Sequence, residues 1–385
     1  MKKIVFLSDM AFDANVSMVK HLSLFYDIFF LSICRAGVEN RIGKIDLTDE
    51  ITCAEKIKEF GILKAFLNLE KTFLVKHYSK KEMGWKCFFK KFVVDLKVLF
   101  FLNRVKPSAV MVDSLNFPIT RLFYRMKIVN LVHDPFPHRG EHNFYRRLSD
   151  ISMKCLSSRY VLFNENQKKD FIAKYHIDSK RVYSAFLGVY EILELFDDNC
   201  VDESLKHNVF FWGRVSPYKG IEYLVEGFKQ FLKETGDSNA TLIIAGEGKY
   251  HFDIHRAVEG VSQITVIERF LTMREMVHYL KNSFIAVCPY TDATQSGVVM
   301  SAFAMKKTIL ATKVGGLPEM LDDGNVGMLI PPCDSDAICQ SIKSLFANTD
   351  KVKSYETAIE KLYFGNGKKS WSNGVKGIVD AIESL

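Results

Sequence analysis

The feature that most constrains this chain is a repeated alternation of short apolar runs with longer stretches of helical periodicity. Runs that are apolar at consecutive positions are typical of strands buried on both faces, as in parallel sheets covered by helices. Alternation of such strands with helices favours the α/β class. The sequence therefore predicts an α/β protein with doubly wound parallel sheets.

The alternation runs in two series, and a chain of 385 residues is long enough for two domains. Strands of the first series are predicted at 4–8, 28–33, 109–113, 128–133, 160–163 and 182–185, with helices near 86–104, 144–157 and 166–175. Strands of the second are predicted at 209–212, 241–245, 264–267, 285–289, 308–312 and 328–330, with helices at 219–234, 273–282, 297–304 and 335–347. Residues 191–207 hold six acidic side chains without periodicity, which indicates a linker.

A cationic turn follows the first strand of the second series. Gly213-Arg214 and Lys219-Gly220 stand where the strand at 209–212 gives way to a helix. Glycine permits a sharp turn and a close approach of the backbone to a ligand. Two cations beside the positive end of a helix form an anion site suited to a diphosphate. Taken alone, these residues are equally compatible with a solvated turn that carries ordinary surface cations.

A loop of small and hydroxylated residues follows the strand predicted at 285–289. It consists of Asp292, Ala293, Thr294, Gln295, Ser296, Gly297 and Val298. Such residues at the start of a helix expose backbone N–H groups, which sugar hydroxyls and phosphates require at close range. The alternative is a plain capped loop. The next strand ends in a second turn, Gly315-Gly316-Leu317-Pro318-Glu319.

Taken in this order, these stretches resemble the donor domain of the retaining glycosyltransferases of family four, which have the GT-B fold. The likeness is strong over 209–347 and weaker in the first half. It implies two Rossmann-like domains that face a cleft. The first would be an acceptor-side domain at 1–190, joined by a C-terminal helix at 369–385. The second, after the linker at 191–207, would be a nucleotide-sugar donor domain at 208–368.

The resemblance also assigns roles to residues. In the first half His133-Asp134 follows a strand, and a His-Asp pair at this strand end faces the donor sugar in the family. The resemblance thus implies that His133, Arg214 and Lys219 are catalytic, although His133 alone fits a strand-end histidine bonded to nearby backbone. The donor-binding residues expected are Gly213, Phe270, Asp292, Thr294, Gln295, Ser296, Gly297, Val298 and Ser301.

One departure from the family concerns two glutamates that flank the donor loop. This chain has Ala293 and Ser301 at those positions, with Asp292 next to the first. The intact Ala-Thr-Gln-Ser-Gly loop at 293–297 resembles a subgroup of the family, so we interpret the change as a subgroup trait. The contact that the second glutamate makes with the nucleotide ribose is not carried over.

The resemblance implies front-face attack with retention of configuration. Arg214 and Lys219 would stabilise the negative charge that grows on the departing diphosphate. His133 would orient the sugar. The expected donor is a UDP- or GDP-linked sugar, with no cofactor and no metal ion.

Two patterns contain residue types that bind metal ions but are not expected to form a metal site. The cluster His133, Asp134, His138, Glu141 and His142 lacks zinc-ligand spacing. Asp334-Ser335-Asp336 lies at a predicted helix start, where an N-cap is the ordinary interpretation.

A basic segment stands out in the first half. Residues 71–106 carry ten Lys or Arg and two acidic residues, whereas the whole chain has a net charge of +7. One interpretation is attraction to anionic lipid at the inner membrane surface. The other is a helix packed on the core through an apolar face of Phe88, Phe92, Leu96, Leu99 and Phe100, with its lysines in solvent. Nucleic-acid binding is not expected, because no binding motif accompanies the charge.

The resemblance therefore implies a hexosyltransferase that moves a sugar from a nucleotide sugar to a glycan or lipid-linked acceptor in bacterial surface polysaccharide synthesis. With no signal peptide or apolar run of spanning length, the predicted location is the cytoplasm, including the inner face of the membrane. Two rival functions remain at this stage. One is a non-catalytic nucleotide-sugar-binding or scaffolding partner, favoured by the missing glutamates. The other is a nucleotide-sugar epimerase, which needs an acid/base set that the motifs do not supply.

Overall fold

A computed structural model describes residues 1–9, 12–37, 39–40, 42–78, 83–113, 116–133, 135–136 and 158–385. The helix predicted at 144–157 and four side chains of the metal alternative, Asp134, His138, Glu141 and His142, lie outside this range. The chain forms two compact units. Unit 1 is Met1–Leu195 with Lys369–Leu385, and unit 2 is Phe196–Lys368. The division falls inside the acidic segment at 191–207.

Unit 1 is built on an eight-stranded sheet in the order β10-β9-β8-β7-β1-β2-β6-β5. The strands are β1 Lys3–Ser8, β2 Asp27–Cys34, β5 Ile51–Cys53, β6 Thr72–Lys76, β7 Ala109–Val112, β8 Ile128–Val132, β9 Arg159–Leu162 and β10 Val182–Ser184. All neighbouring strands are parallel except β5 and β6, which are antiparallel. A separate hairpin pairs β3 Glu39–Asn40 with β4 Gly43–Lys44. The predicted parallel sheet is confirmed.

In the described part of the chain, four α-helices of unit 1 precede its C-terminal segment: α1 Phe12–Leu22, α2 Lys86–Val105, α3 Pro118–Tyr124 and α4 Lys168–Tyr175. The sequence did not predict α1 and α3. Helix α1 buries Asp13, Asn15 and Ser17 along with its apolar residues, so its buried face has no purely apolar period.

The buried face of helix α2 differs from the apolar face predicted for the basic segment. Phe88, Phe92 and Phe100, expected to pack on the core, are 51%, 50% and 68% exposed. The buried face instead consists of Cys87, Val94, Asp95, Val98 and Leu102. Val94, Val98 and Leu102 belong to the hydrophobic core of unit 1, and Phe101 packs against that core and against the ring of Phe73.

Unit 2 is built on a six-stranded parallel sheet in the order β13-β12-β11-β14-β15-β16. The strands are β11 Asn208–Trp212, β12 Thr241–Ala245, β13 Ile264–Ile267, β14 Ile285–Cys288, β15 Ile309–Thr312 and β16 Met328–Ile330. Each lies within one residue of its predicted bounds. This agreement arises because strands buried on both faces are visible in the sequence as continuous apolar runs.

Seven helices of unit 2 surround this sheet in the described part of the chain. They are α5 Ile221–Thr235, α6 Ile254–Val258, α7 Met273–Asn282, α8 Gly297–Ala304, α9 Leu317–Met320, α10 Ser335–Ala347 and α11 Thr349–Tyr363. Asp334 caps α10, since its carboxylate accepts the N–H of Ala337 at 2.8 Å. This is the N-cap role expected for the Asp-Ser-Asp motif. Helix α11 was not predicted, because only Val352, Ile359 and Tyr363 are buried along its length.

The C-terminal segment belongs to unit 1. It forms two helices, α12 Trp371–Gly374 and α13 Lys376–Glu383, instead of the single helix expected. Trp371 is 1% exposed and its indole N–H donates to the carbonyl of Val189 at 2.7 Å. Gly188 leaves room for this ring, because a Cβ there would lie 2.6 Å from the indole.

Candidate functional site

The first element of the candidate site is the turn after β11. Gly213 follows the strand with φ of +131°, and its N–H donates to the carbonyl of Ala245 at 2.9 Å. A Cβ on the neighbouring Gly246 would overlap the carbonyl oxygen of Gly213. The ends of β11 and β12 are therefore in direct backbone contact. Arg214, the next residue, is exposed at this carboxyl edge of the sheet.

The second element is a 3₁₀ turn, Pro217–Lys219, that leads into α5. Gly220 ends the turn with φ of +63°, and a Cβ there would overlap the carbonyl oxygen of Pro289. The N–H of Thr291 donates to the carbonyl of Tyr218 at 2.8 Å. The turn after β11 is thereby joined to the loop after β14.

Lys219 is held inside this junction. Its side chain is 9% exposed, and its Nζ lies 3.6 Å from the centre of the Tyr290 ring and 4.9 Å from that of Tyr218. Aromatic faces attract a cation through the ring quadrupole, more strongly where water is excluded. The two rings therefore fix the position of the ammonium group without neutralising it.

Two titratable neighbours of Lys219 carry no negative charge at pH 7. Burial raises the pKa of the Cys288 thiol to about 11, although Lys219 and Ser296 act in the opposite direction. Burial also raises the pKa of Tyr290 well above its usual value. Both groups are neutral at pH 7, so neither offsets the charge on Lys219. An ammonium held this way is suited to binding an anion.

The third element is the loop that enters α8. Ser296 is the residue before the helix, in extended conformation, with no side-chain cap bond. Thr294 and Ser296 are buried, whereas Gly297 is partly exposed. A Cβ on Gly213 would lie 3.5 Å from a methyl group of Val298. The structure thus brings the start of α8 against the turn after β11.

The turn after β15 contacts the loop that enters α8. Gly315 has φ of +50°, and a Cβ there would overlap the carbonyl oxygen of Ala293. The hydroxyl of Thr312 donates to the carbonyl of Tyr290 at 2.6 Å. The Gly-Gly turn after β15 therefore supports the loop through its backbone.

Three predicted donor-binding residues differ in accessibility. Ser301 is buried and its hydroxyl donates to the carbonyl of Gly297 at 2.8 Å, so this group is engaged within α8. Asp292 is partly exposed in the loop. Phe270 follows β13 and is 55% exposed, which leaves its ring accessible from solvent.

In unit 1, His133 lies directly after β8. Its ring stacks on that of Phe163, with centroids 4.9 Å apart and 22° between the planes. Phe163 follows the adjacent strand β9 and is 7% exposed. The stack holds His133 at the carboxyl edge of the sheet of unit 1.

A buried polar cluster in unit 1 was missed in the sequence. Asp113, after β7, accepts hydrogen bonds from the hydroxyl of Ser8 at 3.0 Å, the N–H of Asp9 at 2.9 Å and the amide of Asn15 at 2.5 Å. Burial raises the pKa of Asp113 to about 7, although these bonds lower it. Its partners come from distant positions in the chain, so no local motif marks them.

Among the described residues, no group of three or more His, Cys, Asp or Glu side chains is arranged to hold a metal ion. No described helix is long and apolar enough to cross a membrane.

Comparison with known proteins agrees with the geometry of unit 2. Residues 206–348 match the family model described as "Glycosyl transferases group 1". An uncharacterized glycosyltransferase of Methanocaldococcus jannaschii is 21% identical over 323 residues, 78% of each chain. A lipopolysaccharide 1,2-N-acetylglucosaminetransferase of Salmonella typhimurium is 27% identical over 176 residues, 43% of this chain and 45% of its own. The chain spans under half the length of other curated relatives that it matches.

Among solved structures, the Anabaena protein Alr3699/HepE in complex with UDP and glucose matches the whole chain with a TM-score of 0.68. Its sequence is 14% identical, and the match covers 100% of both chains. The fold is the GT-B fold. The predicted GT-B architecture is thereby confirmed, and unit 2 is the part of it that matches the glycosyltransferase family model.

Proposed function

We propose that the protein transfers a hexose from a UDP- or GDP-linked sugar to a glycan or lipid-linked acceptor, with retention of the anomeric configuration. The observation that carries the proposal is the buried ammonium of Lys219, fixed between Tyr290 and Tyr218 at the carboxyl edge of a parallel sheet. Ligands of open α/β sheets bind at this edge. A charge placed there in advance lowers the energy of a departing diphosphate without reorganisation.

The diphosphate would bind where the turn after β11 meets α8. Arg214 and Lys219 supply two charges, and the partly exposed Gly213 lets the backbone approach the phosphates closely. The first N–H groups of α8, near Gly297 and Val298, add unbonded donors and the positive end of the helix dipole. The remaining loop residues, Asp292, Thr294, Gln295, Ser296 and Ser301, shape the sugar side, and Phe270 offers a ring surface to the base.

Retention is proposed to occur by front-face attack. The bond between the anomeric carbon and the diphosphate oxygen breaks while the acceptor oxygen bonds to the same face of that carbon. The proton of the acceptor hydroxyl passes to the departing diphosphate oxygen. Ala293 occupies the position of a family carboxylate and is 3% exposed, so this side chain supplies no nucleophile. His133, held by Phe163, would orient the sugar.

The relatives support the substrate class. The Salmonella relative acts on lipopolysaccharide and the Anabaena neighbour binds UDP, by their names. We therefore propose a role in bacterial surface polysaccharide synthesis, with no cofactor and no metal requirement. Nucleic acid is not a proposed partner.

We also propose that the protein acts in the cytoplasm at the inner face of the membrane. Four aromatic residues on and beside α2 are half or more exposed: Trp85, Phe88, Phe89 and Phe92. Lys86 and Lys91 lie among them and are exposed. Exposed aromatic rings beside cations are typical of surfaces that lie in the interface of an anionic bilayer.

A donor-hydrolysis assay tests the enzymatic role. Purified protein is incubated with UDP- and GDP-sugars, and release of the nucleoside diphosphate is measured. We expect slow turnover of one donor that is lost in Lys219→Ala. Tight binding of the donor with no turnover, in the presence or absence of acceptor extracts, would instead favour a non-catalytic scaffolding partner.

A further inference from the structure

We propose that unit 1 binds its acceptor in a cavity of about 390 Å³ beside α2, and that this acceptor is an amphiphile joining an apolar chain to an anionic head group. The inference rests on the proposed transferase function, since it names the acceptor class of that reaction. The residues that line the cavity are in unit 1, whereas the proposed donor-binding residues are in unit 2.

The cavity lies at the carboxyl edge of the unit 1 sheet. Ile33 from the end of β2 and Val75 from the end of β6 form its floor, and α2 and the start of α3 form its walls. Ligands bind at this edge of parallel sheets. Its position is therefore that of a substrate site.

Most of the lining is apolar. Val75, Val94 and Phe117 are buried around the cavity, and Phe88 and Phe92 line it from α2. Phe88 and Phe92 are about half exposed, so the apolar lining continues onto the outer surface of α2. A bound sugar cannot form hydrogen bonds with these apolar walls and would lose those that it makes to water. An alkyl or isoprenoid chain instead gains about 25 cal/mol for each Å² of apolar surface that it covers.

The polar side of the cavity carries positive charge. Lys76, His77 and Lys91 line it. Asp95 also lines it, but its carboxylate is used at the start of α3, where it accepts the N–H of Ile119 at 2.8 Å and that of Thr120 at 3.0 Å. Lys76 donates a hydrogen bond to the carbonyl of Leu47 at 3.1 Å, whereas Lys91 is exposed, so Lys91 is the lysine that we expect to meet an anionic group such as a phosphate.

One carboxylate lies next to the cavity. Asp9 accepts a hydrogen bond from the side-chain amide of Asn116, which lines the cavity. Burial raises the pKa of Asp9, although His77, Asn116, Lys91 and Arg35 act in the opposite direction. The head group would lie beside Lys91, and Asp9 would offer an oxygen acceptor for a hydroxyl of the bound molecule.

The surface beside the cavity explains how such a molecule would enter. Trp85 is 81% and Phe89 70% exposed next to Phe88 and Phe92. With this face against a bilayer, an apolar chain passes from lipid into the cavity between aromatic rings, without crossing water. A free sugar phosphate has no chain to cover the apolar walls, so the occupant we propose is membrane-borne.

The test measures binding of farnesyl phosphate to the full chain by titration calorimetry, below the concentration at which the probe forms micelles. Farnesol and inorganic phosphate are measured in parallel. We expect farnesyl phosphate to bind about tenfold or more tightly than either, because both halves of the probe contribute. If farnesol bound as tightly as farnesyl phosphate, the proposal of an anionic head group would be wrong. If inorganic phosphate bound as tightly, the proposal of an apolar chain would be wrong.

Matched variants locate the site. Phe92→Ser and Lys91→Gln, which change the cavity lining, should each weaken farnesyl phosphate binding by about tenfold. Phe100→Ser and Arg104→Gln alter exposed residues of the same helix outside the lining and should leave it unchanged. Equal effects in both pairs would overturn the cavity as the site. Binding of UDP and GDP to unit 2, measured on the same samples, reports independently on the proposed function.

Discussion

The ammonium of Lys219 lies 3.6 Å from the centre of the Tyr290 ring, and both side chains are buried. Tyr290 stands in the loop after β14, whereas Lys219 stands in the turn after β11. The contact therefore ties a charge in one loop to a ring in the other. This arrangement places the cation before any ligand arrives, which is how a site stabilises developing charge most effectively.

The first prediction concerns this ring. Tyr290→Leu removes the aromatic face, which contributes about 0.5–2 kcal/mol to placing a cation, so nucleoside diphosphate binding should weaken by about threefold or more. Tyr290→Phe keeps the ring and serves as the control, with affinity close to that of the unchanged protein. Titration calorimetry measures both. Equal losses in the two variants would show that the hydroxyl, rather than the ring, matters.

A second prediction is that turnover needs no divalent metal. In the proposed site Arg214, Lys219 and the start of α8 would meet the negative charge of the diphosphate, and the described residues contain no cluster able to hold a metal ion. Donor hydrolysis should be unchanged after treatment with EDTA and dialysis. A complete loss that Mg²⁺ or Mn²⁺ restores would contradict this prediction.

A third prediction follows from the pKa of Asp113, which burial raises to about 7. An unfolded Asp titrates near 3.9, so between about pH 4 and 7 the folded state binds a proton that the unfolded state lacks. The contribution of Asp113 to stability is therefore full below about pH 4 and falls as pH rises to 7, by at most about 1.4 kcal/mol per pH unit.

Asp113→Asn removes this titration while keeping an acceptor for the N–H of Asp9. The free energy of unfolding of the unchanged protein, relative to the variant, should decrease between pH 4.5 and 7 and then level off. Urea unfolding at several pH values measures it. If this difference in the free energy of unfolding instead increased with pH, the folded state would favour the ionised carboxylate of Asp113 over the protonated acid.

The fourth prediction concerns the exposed face of α2. The double variant Trp85→Ser/Phe89→Ser should reduce co-sedimentation with anionic vesicles, because it removes apolar area that enters the interface. Leu24→Ser/Phe25→Ser changes two exposed apolar residues elsewhere in unit 1 and is the matched control. Binding should also fade as salt rises, since each Lys near the surface contributes about 1 kcal/mol that screening removes. Equal sedimentation with neutral and anionic vesicles would rule out the electrostatic part.

Some elements of the fold could be predicted from the local sequence, and others could not. The strands of unit 2 were predictable because residues such as those of β14, Ile285–Cys288, are buried on both faces and form continuous apolar runs. Helix α1 was not, because Asp13 and Asn15 occupy buried positions. On α2 the spacing of the aromatic residues suggested that they face the core, whereas the residues that the structure buries include the smaller Val94 and Val98.

The candidate site divides in the same way. The Gly213-Arg214 and Lys219-Gly220 turns could be recognised because the first follows a strand, the second precedes a helix, and each has a distinctive local pattern. The rings that hold Lys219 were not recognised as partners, since Tyr290 is distant in the chain and the contact arises only when β11 and β14 lie side by side. The cavity beside α2 likewise depends on residues from four separate segments.

The most direct test of the account is titration calorimetry of UDP and GDP against Arg214→Ala/Lys219→Ala. Each charge-assisted contact contributes about 1.5–3 kcal/mol, so the double variant should bind its preferred nucleotide at least one order of magnitude more weakly. Lys233→Ala/Arg256→Ala removes the same charges from exposed positions of unit 2, with Lys233 in the last turn of α5, and should bind like the unchanged protein. Unaltered affinity in a folded Arg214→Ala/Lys219→Ala variant would contradict the proposal that this turn binds the diphosphate.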